Sequence, residues 1–320
     1  MMGRWVNRAV ILDTQVGRCH VAGRAPGPRW KKLSVRDAVQ LNTSGWRHIL
    51  DTTGNPETVF PMRQAPVLQI RESANRTMCC NNLKQIGLAV HHCQKTYNKL
   101  PPAIGAFPNP SGNAYGSIQF HLLPFLEQDN LYKQTATAGN SYNPQNNNWN
   151  FDGTTYVSRR ALTVYTCPSD PSANGDGYCL IAPDWGAGCY ADNFQVFAPE
   201  NNWDGYARMP ASFPDGISNT LLFAERYASC DDKMSAWAYQ QFDRNAAVFA
   251  VWSRGPGSRF ESQPNPWSIE CDPSRASSSH RGGMNVGMGD GSARMLSSGI
   301  DGQTWWALCT PAGGEILGDF

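Results

Sequence analysis

The chain has 320 residues, enough for one large domain or two ordinary ones. Charged residues are 17% of it, and 27 Lys and Arg against 26 Asp and Glu leave a net charge of +1. That balance excludes a nucleic-acid binder acting by bulk positive charge, and it excludes an acidic, charge-driven disordered chain.

Residues 1–60 stand apart from the rest. They carry nine Lys or Arg and four Asp or Glu, so the remaining 260 residues are net negative. The segment has no sustained period of 2 or 3.6, and Gly23-Arg24-Ala25-Pro26-Gly27-Pro28 reads as loop. We expect it to be poorly ordered, with at most one short helix near Val35–Leu41. Its longest apolar run near the start, Ala9 to Leu12, is too short for a signal-peptide core.

The domain proper is expected over 61–320, and it opens with a helix over 66–97, ended by residue 99. Cys79, Leu83, Ile86, Val90, Cys93 and Tyr97 recur every three or four residues, which makes an apolar stripe on one helix face. Val67, Ile70, Ala74 and Met78 form a similar stripe, displaced by one position. Pro66 suits a first turn, and Leu100-Pro101-Pro102 stops the helix. His91 and His92 are adjacent and point about 100° apart, so they read as a surface pair rather than as ligands of one metal.

From 100 to 320 the pattern changes to short strands and long loops. Strands are predicted at Ser117–Leu122, Leu162–Cys167, Gly188–Phe197, Thr220–Arg226, Ala246–Trp252 and Met284–Met288, with a helical turn within Leu122–Leu131. The Asn-rich stretch at 138–150 reads as a surface loop. Met284 to Leu296 reads as a hairpin turning at Asp290-Gly291. One helix followed by many strands predicts an α+β fold rather than alternating α/β.

Motifs for chemistry are sparse. No phosphate-binding loop, dinucleotide fingerprint, nucleophile elbow or His-Glu-x-x-His pair is present, and no metal site is expected from spacing. Ten cysteines at scattered positions, none in Cys-x-x-Cys spacing, fit either disulfides in an oxidising compartment or buried free thiols. Asp215, Ser218 and Asn219 offer clustered oxygens, a candidate calcium set, although an Asp-Gly turn capping its own backbone is the favoured reading. His280 and Asp290 are a candidate pair for a dispersed hydrolase site. Trp305-Trp306 reads as core or as a sugar-stacking platform. Glu225 lies inside an apolar strand, so burial would require a basic partner, and Arg226 points to the other face.

Several segments together resemble one family. They are Arg71-Glu72-Ser73-Ala74-Asn75-Arg76 with Cys80-Asn81-Asn82-Leu83-Lys84-Gln85-Ile86-Gly87-Leu88-Ala89, then Cys167-Pro168-Ser169-Asp170-Pro171, Asp215 through Arg226, and His280 with Asp290-Gly291-Ser292 and Trp305-Trp306. They are similar to the prepilin-like, type II secretion pseudopilin-like family of unknown function expanded in planctomycete-type bacteria. Its C-terminal signature is His, nine residues, then Asp-Gly, carried here by His280, Asp290 and Gly291. The resemblance covers about 65–320. It implies a pilin-like fold, with an N-terminal amphipathic helix packed on an antiparallel sheet with long loops. It implies a non-enzymatic cell-envelope protein of structural or assembly role, with pilin-like or secretion-system subunits as partners; the charge balance adds no nucleic acid, and the sparse motifs add no cofactor beyond the candidate calcium. Family members carry a cleaved leader and an apolar helix that links them to the membrane. The chain as given lacks both, and a misassigned start or upstream frame is the favoured explanation over a degenerate copy. An extracytoplasmic solute- or glycan-binding module is the alternative.

Overall fold

The computed structural model of the protein describes residues 9–13, 18–22, 65–108, 114–135, 156–318 and 320. The chain divides into two units, Met1–Gln69 and Ile70–Phe320. In the first unit, Ala9–Asp13 (β1) and Arg18–Ala22 (β2) pair antiparallel, with Ala9 opposite Ala22. The apolar run Ala9–Leu12 supplies the first of these strands, inside the segment predicted to lack order. The helix predicted at Val35–Leu41 and the Asn-rich loop at 138–150 lie outside the described residues.

The helix predicted from period and caps is Ala65–Tyr97 (α1). Asn98 ends it in the left-handed region, at φ 55, and its amide donates to the Gln94 carbonyl at 2.8 Å. Cys79, Leu83, Ile86, Val90 and Cys93 are fully buried. Ile70, Met78 and Leu88 are instead 69%, 53% and 56% exposed. Successive residues turn by about 100°, so Ile70 and Cys79 point to opposite sides of the helix. The displaced upstream stripe is therefore a second face, not a continuation of the first.

After α1 the chain forms Ile104–Phe107 (β3), Ala114–Ser117 (β4), Ile118–His121 (α2), Asp129–Lys133 (α3), Tyr190–Asn193 (β5) and Phe194–Phe197 (α4). Then come Leu221–Glu225 (β6), Ser229–Cys230 (β7), Lys233–Met234 (β8), Val248–Phe249 (β9), Glu261–Ser262 (β10) and Trp267–Glu270 (α5). The last elements are Ser277–Ser278 (β11), Gly283–Met288 (β12), Ala293–Ser297 (β13) and Gly302–Cys309 (α6). Five strands make the main sheet in the order β13-β12-β6-β5-β9, antiparallel throughout except for β5 beside β9. The fold class is α+β with an antiparallel-rich sheet.

Strand alternation sorts the sheet into two faces. Tyr190 and Phe223 share one apolar cluster with the buried stripe of α1. Ala191, Ala224, Met284, Val286 and Met288 point the other way and pack with Trp305 and Leu308 of α6. Trp305 is 1% exposed and lies against Phe249 and Phe260, so it is core.

The hairpin β12–β13 forms as predicted, with Met284 opposite Leu296. Gly291 sits at φ 81 in its turn, where an L side chain would be strained. A Cβ added at Gly87 of α1 would lie 3.2 Å from the Gly291 Cα, so helix and turn approach at backbone distance. Two glycines 204 positions apart in sequence thus serve one contact.

Several predicted strands are corrected. Ile118–His121 is helical because the Ser117 hydroxyl accepts from the Phe120 amide at 3.3 Å and caps a turn. The strand predicted at Gly188–Phe197 stops at Asn193, whose side chain accepts from the Gln195 amide at 3.0 Å. Leu162–Cys167 holds a single 3-10 turn, Thr163–Tyr165. Ala246–Trp252 contributes only Val248–Phe249, since Ala250 at φ 59 breaks the pairing. At Ser117 and Asn193 a short polar side chain competes for backbone groups, and periodicity does not register that competition.

Two predictions follow from this packing. Leu83→Ala removes a fully buried side chain and lowers the unfolding free energy by about 3 kcal/mol, whereas Leu88→Ala changes it by less than about 0.5 kcal/mol, both read from denaturant unfolding. His121 is buried with one ring nitrogen on the Gly105 carbonyl at 3.0 Å, and burial lowers its pKa from 6.5 to about 4. The unfolded chain then binds the extra proton first, so stability falls as pH drops from 6.5 towards 4. His121→Phe, which keeps the ring stack with Phe107 and Phe120, should flatten that part of the curve of melting temperature against pH.

Candidate metal centre

Glu72 and Cys79 are seven residues apart in α1, about two turns, which places both on one side of the helix. That side meets three other segments. Cys167 arrives after the 3-10 turn, Glu225 ends β6, and His280 follows β11 and leads into β12. Among the described residues, Cys79, Cys167, Glu225 and His280 bring one donor atom each to within 4.8 Å of one another, all four buried.

The imidazole of His280 is the centre of the group. Its Nδ1 lies 2.6 Å from Glu72 Oε1. Its Nε2 lies 3.0 Å from Glu225 Oε1, 3.2 Å from Cys79 Sγ and 3.7 Å from Cys167 Sγ. The two sulfurs are 3.2 Å apart. Burial alone would depress the His280 pKa, but the Cys167 thiol and the Glu225 carboxylate around Nε2 raise it to about 11. The Cys167 thiol is pushed well up by the contact with Cys79 and by burial.

Every outer atom of the cluster is tied down. Glu225 Oε2 accepts from the Ser278 hydroxyl at 2.6 Å and from the Asn285 amide at 3.1 Å, and Oε1 accepts from Asn285 Nδ2 at 2.8 Å. Glu72 Oε2 accepts from Ser169 at 2.8 Å, and Ser169 in turn accepts from Asn75 Nδ2 at 3.0 Å. Asn82 Nδ2 donates to the Thr163 carbonyl and to Tyr190 Oη, each at 3.2 Å. Asp170 Oδ2 accepts from the Ala228 amide at 2.7 Å, joining the segment after Cys167 to the one after Glu225.

The basic partner that a buried Glu225 requires is His280. Arg226 faces elsewhere and is fully buried, donating to the carbonyls of Ala246, Val248, Arg244 and Pro273. Asp290, by contrast, is exposed in the hairpin turn, where it accepts from the Ser292 amide at 2.9 Å. The strand β12 separates it from His280, so the pair considered as a hydrolase site is not brought together. The candidate calcium residues lie in the turn before β6. Asp215 accepts from the Gly314 amide at 3.1 Å, Asn219 Nδ2 donates to the Asp215 carbonyl at 2.9 Å, and Ser218 is exposed. Among the described residues, Cys230 and Cys271 form a disulfide, while Cys79, Cys80, Cys93, Cys167, Cys179, Cys189 and Cys309 are free thiols.

Sequence reasoning singled out His280 and Glu225 but missed Glu72, Cys79 and Cys167 as their neighbours. The three are dispersed, with no ligand spacing to mark them. The available signal was that each belongs to, or adjoins, one of the resembling segments.

The fold and site together define an α+β domain built around a buried thiol, imidazole and carboxylate cluster. A family model matches residues 69–303, and the chain belongs to that family, described as Protein of unknown function (DUF1559). No curated protein and no solved structure matches the chain.

The cluster sets a clear order of stability effects. Glu225→Ala leaves buried donors of Ser278, Asn285 and His280 unpaired and should cost about 3–5 kcal/mol of unfolding free energy. Asp290→Ala loses one exposed turn hydrogen bond and should cost about 1 kcal/mol or less. Denaturant unfolding of the two variants beside the parent chain measures both.

Proposed function

We propose that the protein is a non-enzymatic, pilin-like component of the cell envelope, with a structural or assembly role. The observation that carries this reading is the two-faced helix α1. Its Cys79–Cys93 stripe is buried with Tyr190 and Phe223, while Ile70, Met78 and Leu88 stay exposed on its other sides, set among polar residues such as Thr77, Asn81 and Lys84. A helix anchored on one face and carrying exposed apolar side chains on the others suits side-by-side packing with another subunit's helix. The shared motifs add support, since their residues are engaged in holding α1, β6 and β12 together rather than in lining an open cleft. Among the described residues no helix is long and apolar enough to cross a membrane, so a membrane link would have to come from elsewhere.

The solute- or glycan-binding alternative has less behind it. Of the two tryptophans read as a stacking platform, Trp305 is core and Trp306 is half-buried.

Self-association tests the reading. Sedimentation of the chain over a range of concentrations should show reversible oligomers. The double substitution Ile70→Asp with Leu88→Asp should weaken their association at least about tenfold with an unchanged melting temperature, because both side chains are exposed in the single subunit. A parent chain that stays monomeric throughout and cross-links to no copy of itself would remove the support that the exposed side chains give.

A further inference from the structure

We propose that Cys79, Cys167, Glu225 and His280 bind one Zn²⁺ ion in a closed structural site. The inference goes beyond the assembly role and does not depend on it.

The donor set has the right chemistry. Zinc takes cysteine thiolates, imidazole nitrogen and carboxylate oxygen, usually four of them in a tetrahedron. Two sulfurs with one imidazole select a borderline-soft ion over calcium or magnesium, which want oxygen alone. The spacing is also right. Ligands about 2.0–2.3 Å from a tetrahedral ion stand roughly 3.3–3.8 Å from each other. The donor pairs here span 3.0 to 3.7 Å wherever His280 Nε2 or the two sulfurs are concerned. Small outward shifts of the side chains would admit the ion.

Proton counting favours the cation over an empty hydrogen-bonded cluster. Nε2 carries at most one proton while Glu225 Oε1, Cys79 Sγ and Cys167 Sγ all face it, and the thiol protons, one of which Cys79 donates to Cys167, make only weak hydrogen bonds. One proton serves one of them well, whereas a central divalent ion serves all three and the nitrogen lone pair too. On binding, the two thiols lose their protons to solvent, and so does Nε2 where it is protonated, so zinc uptake releases protons.

The surroundings are those of a metal centre. The Glu72 carboxylate on His280 Nδ1 fixes the tautomer that presents the Nε2 lone pair inwards, the carboxylate–histidine–metal arrangement. Ser278 and Asn285 orient the Glu225 carboxylate. With four protein donors and all four buried, no position is left for water or substrate, which makes the site structural rather than catalytic. The ion would bind four segments of the chain to one point, three of them remote from α1 in sequence.

The test uses the full chain, purified under reductant, loaded with Zn²⁺ and then dialysed. Metal analysis should find one zinc per chain, and Co²⁺ in its place should give the intense sulfur-to-cobalt absorption of a tetrahedral thiolate site. The double substitution Cys79→Ser with Cys167→Ser should abolish both signals, while Cys93→Ser, at a buried thiol outside the cluster, should retain them. Glu72→Gln keeps all four ligands, so it should bind one zinc with affinity lowered about 10–100-fold in chelator competition. Reduced, folded parent chain that holds less than roughly a tenth of an equivalent of zinc and gives no cobalt–thiolate absorption would overturn the proposal. So would a Cys79–Cys167 disulfide accompanied by no zinc binding once it is reduced.

Discussion

The imidazole of His280, held between two carboxylates and two sulfurs, is the constraint on which the domain's assembly turns. In a low-dielectric interior an unpaired charge or an unsatisfied donor is costly. Glu225 is buried in the middle of an apolar sheet, so it cannot stay there without His280, Ser278 and Asn285. His280 in turn cannot settle without Glu72 on its far nitrogen. Each group therefore dictates the position of the next. The chain running from β6 through His280 to α1 is one interdependent unit rather than a set of separate hydrogen bonds.

That unit gives the long loops their order. Many of the described residues between α1 and β6 lie outside helices and strands, and ordering them costs conformational entropy that short strands repay poorly. The cluster repays it at one place. Cys167 and Ser169 fasten the segment after the 3-10 turn to α1, and Asp170 fastens the same segment to the backbone after β6. Arg226 does the equivalent on the other side of β6, gathering four carbonyls from two loops. Adjacent residues Glu225 and Arg226, pointing to opposite faces of a strand, thereby organise opposite halves of the loop structure.

How much of this the sequence disclosed depended on range. Helix α1 was legible because its signals are local: a period, a proline near the start and two after the end. The hairpin β12–β13 was legible for the same reason, through Asp290-Gly291. The short elements were misread where a serine or asparagine took a backbone amide, as at Ser117 and Asn193. The site was legible only in part. A glutamate in an apolar strand announces a partner, but nothing within reach in sequence says that the partner is His280, or that Glu72, Cys79 and Cys167 complete the set. Those contacts join residues 55 to 208 positions apart, and they exist only once the sheet and helix have met. The motifs of the family resemblance marked the same segments, yet they marked them as a list, and only the fold shows that they are one cluster.

The two faces of α1 then acquire different physical meanings. The inward stripe does not rely on apolar contact alone. Apolar packing fixes a helix loosely in rotation and translation, whereas Glu72, Cys79 and the close approach of Gly87 to Gly291 fix both. With the rotation set from inside, the exposed side chains Ile70, Met78 and Leu88 are presented at defined angles instead of slipping inwards to bury themselves. The assembly role proposed for α1 would need that definition, because a small error in angle is multiplied along an array. A buried polar cluster that costs energy to desolvate is a reasonable means to that end, since what it contributes over a plain apolar core is orientation.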